Sequence, residues 1–316
     1  MRRILDKSNM TEADWQAYRE KQKGIGGSDV ATILGLNPYK TAFTLWLEKT
    51  GQIEPPNLSG NQAIEWGNIL EPVIREKFAK ETGFEVFENN WVMQHELHDF
   101  MVANIDGEVI DPGFHGEKGV LEIKTAGERM KDQWTDGPPH HYMLQIQHYL
   151  AVLDYSYAYV AVLISGQTFK YFLIERDDYV IHQVIQAEIE FMEMVEKNIA
   201  PEISGHRADT EYLADAFPED NGEIGELDGD LEAFALRYST VQKQIKALQE
   251  EADYIKNKIK LQAKEFRILK SSEIKINMPT IKKVSFNTKQ FEIDHPDLYE
   301  KYKNKETNYR SFIVTI

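Results

Sequence analysis

The sequence contains no cysteine, which excludes disulfides and thiolate chemistry. It also lacks any apolar run near the roughly 20 residues that a membrane-spanning helix requires. The opening residues, Met1 to Lys7, have none of the apolar core of a secretory signal. Together these absences predict a soluble protein that works in the cytoplasm, without a membrane partner.

Positive charge is scarce compared with negative charge, since 36 Lys and Arg stand against 52 Asp and Glu and give a formal net charge of −16. This balance argues against a protein that coats nucleic acid through bulk electrostatics. It still permits an enzyme in which metal ions bridge carboxylates to phosphate. The zinc-protease motif is missing too, because His95 and His98 are three residues apart and not four.

The stretch that carries most of the candidate chemistry runs from Asn104 to Thr125. Side chains alternate faces along a strand, so Glu122 and Lys124 are expected to point the same way. An Asp-Pro-Gly turn signal within the stretch lets the chain fold back as a hairpin. This hairpin is expected to bring Asp106 to the same place, so that two carboxylates and an ammonium share one site.

Two carboxylates with a main-chain carbonyl between them suit a hard divalent cation such as Mg²⁺ or Mn²⁺. Asp106, Glu122 and the carbonyl of Ile123 are the candidate ligands. Lys124 beside the metal can orient or deprotonate an attacking water. An ordinary half-exposed hairpin with solvated charges explains the same residues, because an acid followed by Glu-x-Lys is common by chance.

Three flanking segments add candidate residues. Residues 24–29, Gly-Ile-Gly-Gly-Ser-Asp, precede a helical pattern, and their glycines allow backbone amides to approach an anion, although a capped helix after a turn explains them as well. A helix predicted over 63–82 carries Glu71 and Arg75 beside its apolar stripe. A further helix is predicted over 140–154.

The order of the elements predicts the fold class. A first helix is expected over Thr11 to Lys23, and strands are expected at 84–92, 99–105, 157–164 and 168–175 in addition to the central hairpin. A long helix over 177–198 closes the domain. Helices around a mixed sheet of about five strands make an α/β sandwich.

Four motifs, in this order, resemble the YqaJ-like viral recombinases, relatives of phage lambda exonuclease within the PD-(D/E)XK nuclease superfamily. The motifs are G-I-G-G-S-D-V-A-T-I-L-G-L-N-P-Y-K-T, W-G-N-I-L-E-P, the hairpin D-G…L-E-I-K-T and Y-M-L-Q-I-Q-H-Y-L. The resemblance spans residues 10–200 approximately and implies a restriction-endonuclease-like core.

The resemblance implies roles for the hairpin residues. Asp106 and Glu122 would bind the metal, Lys124 would be the catalytic lysine, and the main chain of Ile123 would be a further metal contact. Ile105 stands where the superfamily pattern has proline. We attach no chemical weight to this departure, since the neighbour of the first acid takes no part in the reaction.

The resemblance also implies roles for residues outside the hairpin. Glu71 and Gln145 match the two helix residues that complete the family's site, and Glu71 is a candidate metal ligand. Arg19 and Ser28 match positions that bind the 5′-terminal phosphate of the DNA strand being digested.

The implied activity is a Mg²⁺-dependent, or Mn²⁺-dependent, 5′-to-3′ exonuclease on double-stranded DNA ends. It would release 5′-mononucleotides and leave 3′ single-stranded tails for phage-type recombination, as a homo-oligomeric ring beside a RecT-like single-strand annealing recombinase. Two alternatives remain open at this point: a structure-specific or nicking endonuclease that uses the same site, and a DNA-end-binding or scaffolding protein without activity.

Composition and periodicity divide the chain. We predict the nuclease domain over 1–205, an acidic linker over 206–232, and a C-terminal arm with a small α+β tail over 233–316. Within this tail, strands are expected at 273–277, 281–286 and 312–316. Apolar residues from Phe234 to Ile259 alternate spacings of four and three, which predicts a long heptad helix that packs on its own domain or pairs with another chain. Residues 241–290 hold twelve Lys or Arg against five acids, so contact with DNA backbone is a further possibility.

Overall fold

The computed structural model describes residues 1–11, 14–15, 17–18, 24–56, 60–303 and 309–315. It divides into a first unit, Met1–Tyr212, and a second unit, Leu213–Ile316. The helix expected over Thr11 to Lys23 lies largely outside the described residues. None of the helices in the described ranges is long and apolar enough to cross a membrane.

The first unit alternates strands and helices. Its strands are β1 Arg2–Asp6, β2 Ile25–Gly26, β3 Glu85–Phe87, β4 Trp91–Gln94, β5 Met101–Ala103, β6 Gly107–Ile110, β7 Lys118–Ala126, β8 Tyr157–Ile164 and β9 Thr168–Glu175. Its helices are α1 Gly27–Ile33, α2 Ala42–Lys49, α3 Gln62–Thr82, α4 His140–Leu153 and α5 Asp178–Glu196, and α6 Arg207–Ala216 runs past its C-terminal boundary.

A five-stranded mixed sheet with the order β3-β6-β7-β8-β9 forms the centre of this unit. Strand β7 pairs antiparallel with β6 and parallel with β8, which in turn pairs antiparallel with β9. A second sheet has the order β1-β4-β5-β2. The mixed central sheet flanked by helices confirms the predicted α/β class.

Helices cover both faces of the central sheet, because β7 is apolar on each side. Ile74 and Phe78 of α3 pack in one buried cluster with Leu121. Ile146 of α4 packs with Val120 in another cluster on the opposite face. Full burial of such a side chain contributes roughly 1.5–3 kcal/mol, so α3 and α4 are held at fixed positions above and below β7.

The strand predicted over 84–92 is wrong in one respect, since the structure divides it. The side chain of Asn89 accepts a hydrogen bond from the Trp91 amide at 2.8 Å, which turns the backbone between β3 and β4. Strand β3 joins the central sheet, whereas β4 joins the second sheet. An asparagine turn inside an apolar run therefore moved the chain from one sheet to the other.

The second unit contains α7 Gly229–Ala263, β10 Ile268–Lys270, β11 Lys275–Asn277, α8 Thr288–Asp294 and α9 Pro296–Tyr302. The long helix predicted from the heptad spacing is confirmed by α7.

Three local expectations for the C-terminal third differ from the structure. Helix α6 occupies the beginning of the predicted acidic linker, whose boundaries at 205 and 232 stay a prediction. The described residues 279–286 form no strand, and β11 pairs with β10 instead. Residues 312–315 also form no strand, within the part of the tail that the structure describes.

Candidate active site

Asp106 lies at the point where β6 and β7 separate. The last ladder pair joins Gly107 to Leu121. Beyond it, the Oδ2 of Asp106 accepts a hydrogen bond from the Ile123 amide at 2.7 Å. Gly107 is required here, because a Cβ at this position would lie 2.9 Å from the carbonyl oxygen of Phe87. The acid is thereby fixed directly against β7.

Glu122 and Lys124 share one face of β7, as the strand alternation predicts. The Nζ of Lys124 donates to Glu122 Oε1 at 2.5 Å and lies 4.8 Å from the ring centre of Tyr142. Gln145 of α4 donates through Nε2 to the same carboxylate oxygen at 2.8 Å and to the Tyr149 hydroxyl at 2.9 Å. The predicted Gln145 therefore holds Glu122 in place from the helix above.

The second oxygen of Glu122, Oε2, is buried and has no hydrogen-bond partner. The residue as a whole is only 3% exposed. Leaving a buried acceptor unsatisfied costs about 1–3 kcal/mol, and more for a charged group. A cation coordinated by this oxygen would remove that cost.

The carboxylates of the site are strongly perturbed. Burial, reinforced by the neighbouring Asp106, raises the pKa of Glu122 to about 8. Burial likewise raises the pKa of Asp106. For Lys124 burial acts to lower the pKa, but Glu122 and Asp106 outweigh it and the pKa is raised. Lys124 is accordingly an ammonium at neutral pH, which favours orientation of a water over its deprotonation.

Glu71 approaches the site from α3. It forms an ion pair with Arg75 one turn along the helix, and Arg75 also donates to the main-chain oxygen of Asp106 at 2.9 Å. Burial, with a further contribution from Asp106, raises the pKa of Glu71 to about 6. Lys7, which donates to the side chain of Asn104, was missed from the sequence. No local motif marks this lysine, and its position near the site is evident only from the fold.

The donor set fits a hard divalent cation held by few protein ligands. Within the described ranges, no three His, Cys, Asp or Glu side chains form a group that could hold a metal ion. Asp106 and Glu122 are thus a two-carboxylate arrangement, which suits Mg²⁺ because this ion keeps several waters. The carbonyl of Ile123 points to the same strand edge as its amide, and hence toward Asp106. Glu71 as a metal ligand stays a prediction.

Ser28 is exposed in the first turn of α1, whereas Arg19 lies outside the described residues. Their predicted contact with a 5′-phosphate stays a prediction. The neighbouring Gly27 has a packing role that the sequence did not reveal. A Cβ there would lie 2.6 Å from the Tyr149 ring and 2.9 Å from the Cγ of Gln145. The glycine-rich motif is therefore pressed against the helix that carries Gln145.

Asp29, in the same motif, stabilises the local structure through a hydrogen bond and an ion pair. Its Oδ2 accepts from the Gly26 amide at 3.2 Å and lies 3.0 Å from the Nζ of Lys49. Burial would raise the pKa of Asp29, but Lys49 and Lys40 outweigh it and lower the pKa. Lys49 also donates to the carbonyl of Gly24 at 2.5 Å. This ion pair anchors the glycine turn to α2.

A second buried ion pair lies one turn along α4 from Gln145. His148 Nδ1 is 2.7 Å from Glu188 Oε1, and His148 Nε2 is 2.9 Å from the carbonyl oxygen of Val102. Both partners are acceptors, so the ring donates from both nitrogens and is an imidazolium. Burial favours the neutral ring, but Glu188 and the carbonyl raise the pKa of His148. The ion pair joins α4 to α5, and the hydrogen bond to Val102 joins α4 to β5, the strand that leads to Asp106.

Several solved structures share part of this architecture. The alkaline exonuclease LHK-Exo from Laribacter hongkongensis has a TM-score of 0.48 and 21% identity, over 64% of this chain and 97% of that one. A phage-related exonuclease from Haemophilus somnus 129PT has a TM-score of 0.40 and 15% identity, over 56% of this chain and 95% of that one.

Sequence comparison is more informative. Protein D345L of African swine fever virus (strain Badajoz 1971 Vero-adapted) is 37% identical over 75 residues, which are 23% of this chain and 21% of that protein. Residues 14–156 match the YqaJ-like viral recombinase domain. The uncharacterized protein YqaJ of Bacillus subtilis (strain 168) is 36% identical over 314 residues, or 98% of this chain and 96% of the relative. Because this match runs nearly end to end, the chain belongs to the YqaJ-like viral recombinase family.

Proposed function

We propose that this protein is a metal-dependent deoxyribonuclease that digests linear double-stranded DNA from its 5′ ends. It releases 5′-mononucleotides and leaves 3′ single-stranded tails for homologous recombination. The observation that carries the proposal is the buried, unpartnered oxygen of Glu122, whose other oxygen accepts from Lys124 and whose pKa the neighbouring Asp106 helps to raise. Membership of a viral recombinase family supports the link to recombination.

The metal would be held by Asp106, Glu122 and the carbonyl of Ile123. When bound, Mg²⁺ or Mn²⁺ supplies Lewis-acid stabilisation of a phosphate oxygen and lowers the pKa of a water. Lys124 contributes a fixed ammonium, which donates to the attacking water or to the phosphate. Gln145 keeps the Glu122 carboxylate in one orientation, so that one oxygen is left for the cation.

The 5′-end preference is assigned to Arg19 and Ser28. A grip on the terminal phosphate would place the first phosphodiester at the site and present a new phosphate after each cut. A ring of subunits around the duplex, and a RecT-like single-strand annealing protein that takes up the 3′ tail, complete the proposal. The reaction is placed in the cytoplasm.

The direct test is digestion of a linear duplex with 5′-phosphate or 5′-hydroxyl ends, in Mg²⁺ or EDTA, with mononucleotide release as the readout. We expect Mg²⁺-dependent release that is faster from 5′-phosphate ends, and we expect Arg19→Ala to remove that preference. Glu122→Gln should slow this release strongly. Its matched control is Glu202→Gln, which changes an exposed acid of the same unit. Cleavage of covalently closed circular DNA at the same rate would overturn the exonuclease in favour of an endonuclease.

A further inference from the structure

The second unit contains a stretch whose charge is opposite to that of the chain as a whole. Residues 241–290 carry twelve Lys or Arg against five acids, within a chain of net charge −16. A segment with this excess, in a protein that is otherwise strongly acidic, needs an explanation other than general solubility, because the chain is already far from neutral.

Two of these basic side chains lie on the hairpin formed by β10 and β11. Lys270 lies directly opposite Lys275 in the antiparallel register. Leu269 and Ile276 are half-buried on the other face of the hairpin, whereas both lysines are exposed. Like charges directly opposite each other across two strands are destabilising. The hairpin therefore presents two ammonium groups outward at an energetic cost.

The acid nearest to these two lysines along the chain is Glu273, in the turn between β10 and β11. In the described part of the second unit, ion pairs join Lys256 to Asp253 and Lys303 to Glu300, and neither Lys270 nor Lys275 has one. Lysines on edge strands also prevent edge-to-edge aggregation. That role is fulfilled by lysine at any exposed position of an edge, and it does not require two lysines in opposed register.

Other cations adjoin the pair along the chain. Arg267 precedes β10, and Lys282 and Lys283 follow β11 within a few residues, all of them exposed. The stretch that holds these five cations and one acid, Glu273, is called the lysine hairpin and is defined as residues 267–283.

We propose that the lysine hairpin binds the phosphate backbone of double-stranded DNA without reading its sequence. This inference rests on the proposed function, which makes duplex DNA the polyanion that the protein meets. B-DNA carries one negative charge per roughly 1.7 Å of helix axis, so two adjacent ammonium groups find two phosphates at once. Because the linked catalytic unit would otherwise repel DNA, a cationic module on the same chain raises the local DNA concentration.

The experiment is a salt titration of DNA binding with the full-length protein in EDTA, using a fluorescent 30-base-pair duplex. The test variant is Lys270→Gln with Lys275→Gln. We expect its affinity to fall about tenfold at low salt, and the slope of log K against log salt to be shallower by about 2, as expected for two lost phosphate contacts. Because the repulsion is removed, its melting temperature should be unchanged or higher.

The matched control is Lys77→Gln with Lys197→Gln, which removes the same charge from lysines already paired with Glu81 and Glu193. We expect little change in its salt slope. The variant Lys270→Arg with Lys275→Arg keeps the charge and should bind like the wild type. An equal loss in the test and control variants, or no loss in either, would overturn the proposal.

The two proposals fail separately. If the wild type releases no mononucleotides in Mg²⁺ but binds duplex DNA with a salt slope that depends on Lys270 and Lys275, the nuclease proposal fails and the lysine hairpin stands. If the wild type releases mononucleotides and the salt slope does not depend on Lys270 and Lys275, the nuclease proposal stands and the proposal for the lysine hairpin fails.

Discussion

Two buried polar clusters lie one helical turn apart on α4, and they are built on opposite principles. Around Gln145, two carboxylates share one desolvated position, and the pKa of each is raised. Around His148, an imidazolium meets Glu188 and a main-chain carbonyl. Each cluster leaves one glutamate oxygen without a hydrogen bond, and at Glu122 a second carboxylate, that of Asp106, helps to raise the pKa of the glutamate.

This difference distinguishes the candidate functional site around Glu122 from the ion pair of His148 and Glu188, which stabilises the fold. Opposite charges that are buried together stabilise the arrangement that buries them. Like charges that are buried together are retained at a cost, which indicates that a further positive group completes them during function. Four experiments test whether the two clusters differ in this way.

Glu122→Gln should give the largest effect, a loss of nucleolytic rate on the order of a thousandfold, because a metal ion contributes several kcal/mol to the transition state. The same change removes a buried acid whose pKa is raised, so thermal stability in EDTA at pH 9 should stay equal or increase. Mononucleotide release and calorimetric melting measure the two effects. If Glu122→Gln is destabilised, the carboxylate of Glu122 stabilises the fold, as the carboxylate of Glu188 does.

Glu188→Gln should act in the opposite sense and destabilise the protein by about 3–5 kcal/mol, the usual cost of removing one member of a buried ion pair. Urea unfolding measures this difference. The double variant His148→Leu with Glu188→Leu should recover much of the loss, because no charge is then left unpaired. If the double variant is as unstable as the single one, the loss in Glu188→Gln does not come from a charge left unpaired.

Mg²⁺ binding should be pH-dependent, because the cation requires Glu122 as a carboxylate and the pKa of this group is raised to about 8. We expect affinity to rise about tenfold per pH unit as the pH approaches 8, and to level off above it. Titration calorimetry in two buffers of different ionisation enthalpy would detect the released proton. Affinity that is independent of pH between 6 and 8 would contradict the assignment.

The pH dependence of stability in EDTA should contain a contribution from each cluster. Glu122 has a folded pKa above its unfolded value, so the folded state binds the extra proton and stability falls as pH rises from about 4.5 to about 8. His148 also has a raised pKa, so its contribution is complete below about 6.5 and is lost as pH rises through the folded value. Mg²⁺ should reverse the first decline and leave the second.

The variants assign the two contributions. Glu122→Gln should lessen the decline that begins near the carboxylate range, to which Asp106 and Glu71 also contribute, whereas His148→Leu should remove the contribution of the imidazolium. Chemical unfolding at a series of pH values provides the measurement. Identical profiles for the two variants would show that the clusters are not independent.

The sequence predicted the parts of the site that depend on local geometry. Strand alternation placed Glu122 beside Lys124, and a turn signal brought Asp106 to them. Gln145 was found through the family motif, because helical periodicity alone gives a glutamine no role. These successes share one cause, since each relation is fixed within a single strand, hairpin or motif.

The relations that the sequence did not reveal join distant segments. The partner of His148 is 40 residues away, and nothing in either segment marks it. Gly27 packs against the ring of Tyr149, where a Cβ would not fit, and the glycine-rich pattern of residues 24–29 did not indicate this contact. A three-residue strand such as β10 is too short for a periodic pattern, and it is defined only by its pairing with β11.

The hydrogen bond from the Ile123 amide to Asp106 continues the hydrogen-bonding pattern between β6 and β7 by one further bond, which a side chain accepts. Asp106 substitutes for backbone at the place where the ladder with β6 would otherwise continue. This acid cannot be moved along the chain without changing the strand register, because the proposed metal-binding position and the end of the pairing coincide. Asp106→Asn keeps an oxygen that can accept from the Ile123 amide but removes the negative charge. Asp106→Ala removes both the acceptor and the charge.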